Sequence, residues 1–227
     1  MKDGKIIIDL HIHSCYSEDA KGTPKEIIKR LKKLGLDGAC ITDHNTVRGS
    51  LEALKERSDN FVIIPGVEIS TLEGHILAIG VKEDIPRDRH VDETVDLILD
   101  AGGIPVVPHL FRMMSGIKMR NLESIVDRIN AIEVFNSCSL SKTNIKVAKV
   151  ARELNLGGTG GSDAHDPEFA GYGYTIIDST DYNVDSILSE IERGRTWGDG
   201  KTLPLEIRKK RVLLSIKQFF ERGFRRI

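Results

Sequence analysis

Short β-branched runs alternate with amphipathic helical patterns along most of the chain, and this limits the possible folds more than any other sequence feature. The runs cover residues 5–10, 38–42, 61–67, 103–107, 131–135, 157–161 and 172–177. Between them, apolar residues recur at helical spacing over 24–34, 47–57, 91–101, 122–129, 142–154 and 184–194. Strand and helix in turn imply a parallel sheet joined by right-handed crossovers. Seven such units suit a closed barrel or a doubly wound sheet. No glycine-rich phosphate turn follows the first run, which disfavours the dinucleotide-binding form of the latter. The expectation is one domain, residues 1–227, built as a seven-stranded β/α barrel. A further apolar run at 74–80 reads as a hairpin addition. Thr23 before Pro24 reads as a helix N-cap, and Gly35, Gly102 and Gly194 fall where helices should end.

The 227 residues suffice for one sizeable core, with 40% hydrophobic and 30% charged side chains as in ordinary soluble proteins. No apolar run approaches the roughly 20 residues of a bilayer span. The first apolar stretch ends at Asp9, as a strand does and a secretory signal does not. Cys15, Cys40 and Cys138 are too few and too scattered for a disulfide framework or a thiolate zinc knuckle, and a reducing cytoplasm fits best. The formal net charge of −1 hides an asymmetry: residues 201–227 hold nine Lys and Arg against two Glu, and the other 200 hold 24 basic against 32 acidic side chains. Such an acidic body argues against a general grip on nucleic acid and suits cation binding. Residues 204–227 place Leu213, Ile216, Phe219 and Phe220 at helical spacing among basic residues. They read as a basic amphipathic helix docking its apolar face on the barrel, with a nucleic-acid or partner contact as the other reading. Trp197 suits either packing or stacking.

Six of the seven histidines (His11, His13, His44, His75, His109 and His165, but not His90) lie in or just beyond an apolar run. In a β/α barrel such positions open onto the carboxyl-terminal rim, where catalytic groups gather. Asp9, Asp19, Asp43, Glu68, Glu133 and Asp163 join them. Side chains alternate along a strand, so His11 and His13 share a side, and Asp9 on that side suits a role in orienting a ligand histidine from behind. Asp163 and His165 repeat the spacing of two after another strand. A lone strand-end histidine more often bonds a backbone carbonyl. Nine ligand-type residues at successive strand ends would instead crowd repelling carboxylates and desolvated groups into one mouth. Shared cations relieve that conflict.

His11-Ile12-His13-Ser14, Thr42-Asp43-His44-Asn45, Pro65-Gly66-Val67-Glu68, Gly74-His75 and Gly161-Ser162-Asp163-Ala164-His165 resemble the motifs of the PHP (polymerase and histidinol phosphatase) family, in the family's order, over about residues 5–178. The resemblance implies a distorted seven-stranded (β/α)7 barrel with a trinuclear centre of divalent transition metals: zinc, manganese or iron. It implies His11, His13, Glu68 and Asp163 as ligands of one metal. Glu68 would bridge to a second, completed by His75 and His109, and Asp19, His44 and His165 would hold the third. Two departures bear on this set. Ser17-Glu18-Asp19 has one residue more than the commonest form of its motif, so Glu18 competes with Asp19, whose distance to Thr23-Pro24 matches the usual pattern better. Leu110 follows His109 where the family usually has proline.

A metal-dependent phosphoesterase follows as the expected activity, with metal-bound hydroxide attacking phosphorus and no side-chain nucleophile required. Mixed imidazole and carboxylate ligands do not select among metals. Arg112 is the first candidate for binding phosphate through a bidentate guanidinium and Arg48 the second, with Lys118 and Arg120 extending the basic character near Arg112. Glu133 is the other catalytic candidate; with Asn136 it resembles a family element near the metals that supports ligands or contacts substrate. The preferred substrate is a small phosphomonoester of the histidinol-phosphate or nucleotide type. A nuclease trimming polynucleotide ends, or a non-enzymatic metal-binding scaffold, are the alternatives.

Overall fold

In the computed structural model, residues 4–221 and 223 are described, and they form ten strands and seven α-helices. Helix α1 (Pro24–Leu34) starts where the sequence says it should. Thr23 and Glu26 form a reciprocal capping box, Pro24 takes the first turn, and Gly35 closes the helix with a φ of 78°. Its buried face, Ile27, Ile28 and Leu31, packs beside strand β2 (Gly38–Ile41). Helices α2 (Arg48–Ala53), α3 (Val91–Asp100), α4 (Met119–Ile125), α5 (Ser141–Glu153) and α6 (Val184–Glu192) fall within or near the expected spans.

The strands do not make one continuous seven-stranded barrel. They form two five-stranded sheets. The first has the order β10 (Thr196–Gly200), β9 (Gly173–Ile177), β1 (Ile6–Ile12), β2, β3 (Val62–Ile64); the second runs β4 (Gly66–Ser70), β5 (His75–Ile79), β6 (Ile104–Val107), β7 (Ala131–Asn136), β8 (Gly157–Gly161). The expected run at 61–67 is therefore two strands in two sheets. Pro65, which has no N–H for a ladder, stands at the break. The apolar run at 74–80 is no appendage, since β5 lies between β4 and β6 and is antiparallel to both. Only residues 71–74 join β4 to β5, too short for a parallel crossover. Strand β10 was not expected; it pairs with β9, which is itself antiparallel to β1.

Among the contacts between the two sheets, two seams carry polar residues of interest. At one, the end of β2 meets β4 through the His44–Glu68 bridge, with the Asn45 N–H donating to the Glu68 carbonyl at 2.8 Å. At the other, the end of β1 meets the segment after β8, where the Asp163 N–H donates to the His11 carbonyl at 2.7 Å and the His13 N–H to the Ala164 carbonyl at 2.9 Å. Close approach at this second seam depends on Gly161, because a Cβ there would lie 2.3 Å from the His11 Cβ. Apolar clusters led by Ile6, Ile8, Leu10 and Ile79, and by Val67, Ile69, Ile98 and Ile132, hold the strands beneath the seams.

Helix α7 (Leu205–Glu221) exists but does not dock as its apolar pattern suggested. Leu213 is 67% and Ile216 44% exposed, and Phe220 also faces outward. Among the described residues, arginines attach the helix: Arg208 donates to the Ser139 carbonyl at 3.1 Å, and Arg211 reaches the segment after β8. The Phe219 side chain and the expected continuation through residues 224–227 lie outside the described residues. Trp197 packs against the core, with the Arg152 guanidinium 4.9 Å from its ring centre. Among the described residues, no helix is long and apolar enough to cross a membrane.

Candidate metal centre

Strand ends from both sheets converge on one buried cup. Strand β1 supplies His11 and, just past its end, His13; the following loop supplies Asp19; the segment after β2 supplies His44. Glu68 lies within β4, His75 opens β5, His109 follows β6, and Asp163 and His165 follow β8. Glu68 is central. Its Oε1 lies 3.0 Å from His75 Nδ1 and 2.9 Å from His109 Nε2. Its Oε2 lies 3.2 Å from His13 Nε2, 3.3 Å from His44 Nδ1 and 3.4 Å from His11 Nε2. Asp163 Oδ1 is 3.5 Å from His13 Nε2 and 3.8 Å from His11 Nε2. Asp19 meets His165 Nε2 at 3.0 Å and His44 Nε2 at 3.9 Å. All nine residues named as ligands from the sequence come together, and Asp19, not the exposed Glu18, points into the cup.

The histidines are held from behind in ways that fix which nitrogen faces inward. His11 Nδ1 donates to Glu133 Oε1 at 2.9 Å, leaving the Nε2 lone pair in the cup. His13 Nδ1 donates to Ser17 Oγ at 3.3 Å; that hydroxyl donates in turn to Asp43 at 2.8 Å. His165 Nδ1 lies 3.1 Å from the Asp163 carbonyl, with Nε2 toward Asp19. Asp43 also accepts from the Ser14 N–H and hydroxyl, both at 2.6 Å, and so organises the whole loop before Asp19. The supporting role of Ser17 and Asp43 was not foreseen. Asp9 does not orient a histidine ring as expected. It accepts from the backbone N–H groups of Ser162 (2.9 Å), Gly171 (2.9 Å) and His11 (3.3 Å), fastening β1 to the segment after β8. Burial pushes its carboxyl up to about 7 against those donors.

The electrostatics call for positive charge. Burial by itself would depress His11 and His13. Glu133, Glu68 and Asp163 overcome it at His11, and Asp163 and Glu68 raise His13 to about 9. Yet the Nε2 atoms of these two rings face each other at 3.2 Å, where neither two protons nor two lone pairs are comfortable. His109 and His165 are depressed to about 4, by burial together with Arg112 and Arg211 respectively. Burial opposes ionisation of Glu68 and Asp163, but the surrounding cationic groups hold both well below the usual carboxylate range. Asp19 Oδ1, His44 Nδ1 and His109 Nδ1 are buried without a hydrogen-bond partner. Converging lone pairs, orphaned acceptors and shared carboxylates fit divalent cations, which accept such donors without needing a proton. His109 and Asp163 hold φ values of 31° and 49°, unfavourable for non-glycine residues and common where function fixes the backbone.

Arg112 lies beside Asp163. Its Nη2 donates to Asp163 Oδ2 at 2.5 Å and to Asn136 Oδ1 at 3.0 Å. Asn136 donates to Glu133 and Asp163. Glu133 is 2% exposed and accepts from His11 Nδ1 at 2.9 Å and from the His109 N–H at 2.8 Å, so it lies behind these two histidines. Arg48 stacks over Tyr16, while Lys118 and Arg120 are exposed; none joins the cup. Arg211 does, and the sequence did not single it out. From α7 it donates to the Asp163 carbonyl at 2.7 Å, contacts His165 Nδ1 at 2.7 Å and Cys138 Sγ at 2.5 Å, and lies 3.9 Å from Asp163 Oδ1.

Buried imidazoles and carboxylates gathered at strand ends are the donor set of a metal-dependent hydrolase. Residues 9–154 match the PHP domain and residues 142–196 a PHP-associated segment, and the chain belongs to the PHP family of metal-dependent phosphoesterases. It is 34% identical to an uncharacterised protein of Methanocaldococcus jannaschii over 64% of this chain and 92% of that one. Its fold resembles a two-domain Bacteroides vulgatus protein containing a predicted PHP-like metal-dependent phosphoesterase, with a TM-score of 0.74, 16% identity, and 92% of this chain and 69% of that one covered. It also resembles the lesion-specific endonuclease of Pyrococcus furiosus, with a TM-score of 0.63, 18% identity, and 84% of this chain and 56% of that one covered.

Proposed function

We propose that the nine residues hold three divalent transition-metal ions, and that the enzyme hydrolyses a small phosphomonoester. The observation that carries this reading is the single Glu68 carboxylate within 3.4 Å of five imidazoles, with Asp19 and Asp163 completing the ring around it. His11, His13, Glu68 and Asp163 would hold one ion, Glu68, His75 and His109 a second, and Asp19, His44 and His165 the third. When bound, such ions supply Lewis acidity toward phosphoryl oxygens and an activated water. The protein's own part is positional. Glu133, Ser17 and the Asp163 carbonyl fix the inward nitrogens of His11, His13 and His165, and Arg112 stands beside Asp163 with donors suited to a phosphate oxygen.

The burial of the cup's side chains supports a terminal phosphate. His11, His13, Glu68 and Asp163 side chains are at most 2% exposed, and the partly open ones, His44, Asp19, His75 and His165, reach only 7–13%. Groups so little exposed are reached more readily by a phosphate on a small carrier than by a continuous duplex. The exposed basic residues of α7, whose Arg211 reaches the cup, are the feature that favours polynucleotide ends instead. A panel of phosphomonoesters, cyclic nucleotides and short oligonucleotides, assayed with added manganese or zinc, separates the two. Monoesters turned over fastest support the proposal; oligonucleotides turned over fastest move the assignment to a nuclease. Release from neither class, by protein carrying its metals, leaves the scaffold reading.

A further inference from the structure

We infer that Arg211, carried on α7, is a second anchor for the substrate's phosphate, which makes the carboxyl-terminal helix part of the active site. The inference rests on the phosphoesterase reading above and deepens it. Its basis is the way α7 is attached. Among the described side chains of α7, Leu213 is 67% and Val212 58% exposed, while Arg208 and Arg211 hydrogen-bond to the segments after β7 and β8. Arg208 only grips the Ser139 carbonyl at the helix base. Arg211 instead enters the cup, and its side chain remains 25% exposed there, comparable to the 30% of Arg112.

Arg112 and Arg211 flank one carboxylate. Arg112 lies against Asp163 Oδ2, and Arg211 lies 3.9 Å from Oδ1. Two cations on a single buried carboxylate are more than that group needs, and Asp163 is itself a candidate metal ligand. With a divalent cation on Asp163, both guanidiniums stand beside positive charge and require an anion. The same holds for the contact of Arg211 with His165 Nδ1. A neutral His165 that gives its Nε2 lone pair to a cation carries its proton on Nδ1, which suits the Asp163 carbonyl at 3.1 Å and cannot accept from Arg211. A cation on His165 Nε2 would thus leave Arg211 Nη2 without that acceptor, while Nη1 keeps the Asp163 carbonyl at 2.7 Å. Two guanidinium groups flanking Asp163 match the several oxygens of a phosphate dianion better than a neutral or singly charged group.

The test is calorimetric titration of inorganic phosphate into manganese-loaded full-length protein, with metal content measured for every variant. Arg211→Gln is expected to weaken phosphate binding roughly ten- to a hundredfold at unchanged metal content, the loss of one or two charge-assisted hydrogen bonds. Arg211→Lys is expected to recover part of it, and Arg208→Gln, which loosens only the helix base, to bind as the wild type does. Equal affinity in wild type and Arg211→Gln would overturn the inference. So would a loss of metal that accounts for the loss of phosphate, equal weakening by Arg208→Gln, or no phosphate binding by the metal-loaded wild type. Phosphate binding without hydrolysis of any ester would count against the enzymatic reading, whereas hydrolysis with an unaffected Arg211→Gln would count only against this role of Arg211.

Discussion

Replacing Glu133 by Gln changes no volume but should remove a metal ligand two bonds away. Glu133 Oε2 accepts from the His109 N–H at 2.8 Å and from Asn136 at 2.9 Å, while Oε1 accepts from His11 Nδ1 at 2.9 Å. The amide keeps most bonds by pointing its oxygen at His109 and Asn136. Its NH2 then faces His11 Nδ1, and the ring must shift its proton to Nε2 to accept. Nε2 is the atom aimed at Glu68 and Asp163, so the shift withdraws a lone pair from the cup. The opposite amide orientation sacrifices two bonds and leaves the buried His109 N–H facing a donor. A hydrogen bond to a charged group contributes about 1.5–3 kcal/mol, which corresponds to roughly a ten- to hundredfold loss in metal affinity, the range found when partners behind ligand histidines are removed. Chelator competition should measure that loss, with circular dichroism confirming the fold. Metal affinity and turnover both within twofold of wild type would refute the argument that Glu133 fixes the His11 tautomer.

Other outcomes follow from the same geometry. Glu68→Gln, which removes the charge shared by five imidazoles, should lower metal content measured by elemental analysis and reduce turnover at least a hundredfold; a fully loaded, active variant would contradict the bridging role. Gly161→Ala forces a Cβ to 2.3 Å from that of His11, and such overpacking should cost about 1–3 kcal/mol in denaturant melts. In metal-free protein His109 is depressed to about 4 from 6.5, so its contribution to stability is present above 6.5 and lost as the pH falls toward 4. The stability difference between wild type and His109→Gln should therefore shrink by about 3 kcal/mol over that interval, whereas parallel profiles would show that His109 does not titrate as described.

The candidate ligand set was legible because most of its members lie at or just past a strand end, and strand ends can be placed from apolar runs without knowing how the strands pair. Helix α1 was legible for a local reason, the capping box of Thr23 and Glu26 and the turn at Gly35. Pairing was not. Residues 61–67 read as one run because both halves are β-branched and apolar, and only the contacts of each half place them in different sheets. Strand β10 (Thr196–Gly200) has two glycines and an aspartate among five residues, so its own propensity is poor and its pairing with β9 makes it a strand. The periodicity of α7 revealed an apolar face but not what covers it. Arg211 was one basic residue among nine in the tail, and only the fold brings it to Asp163 and His165.

Anomalous diffraction from crystals grown with manganese or zinc tests the central claim most directly. The account predicts cations seated around Glu68, ligated by His11, His13 and Asp163, by His75 and His109, and by Asp19, His44 and His165. Density for metal elsewhere, with these side chains still bonded to one another, would contradict it.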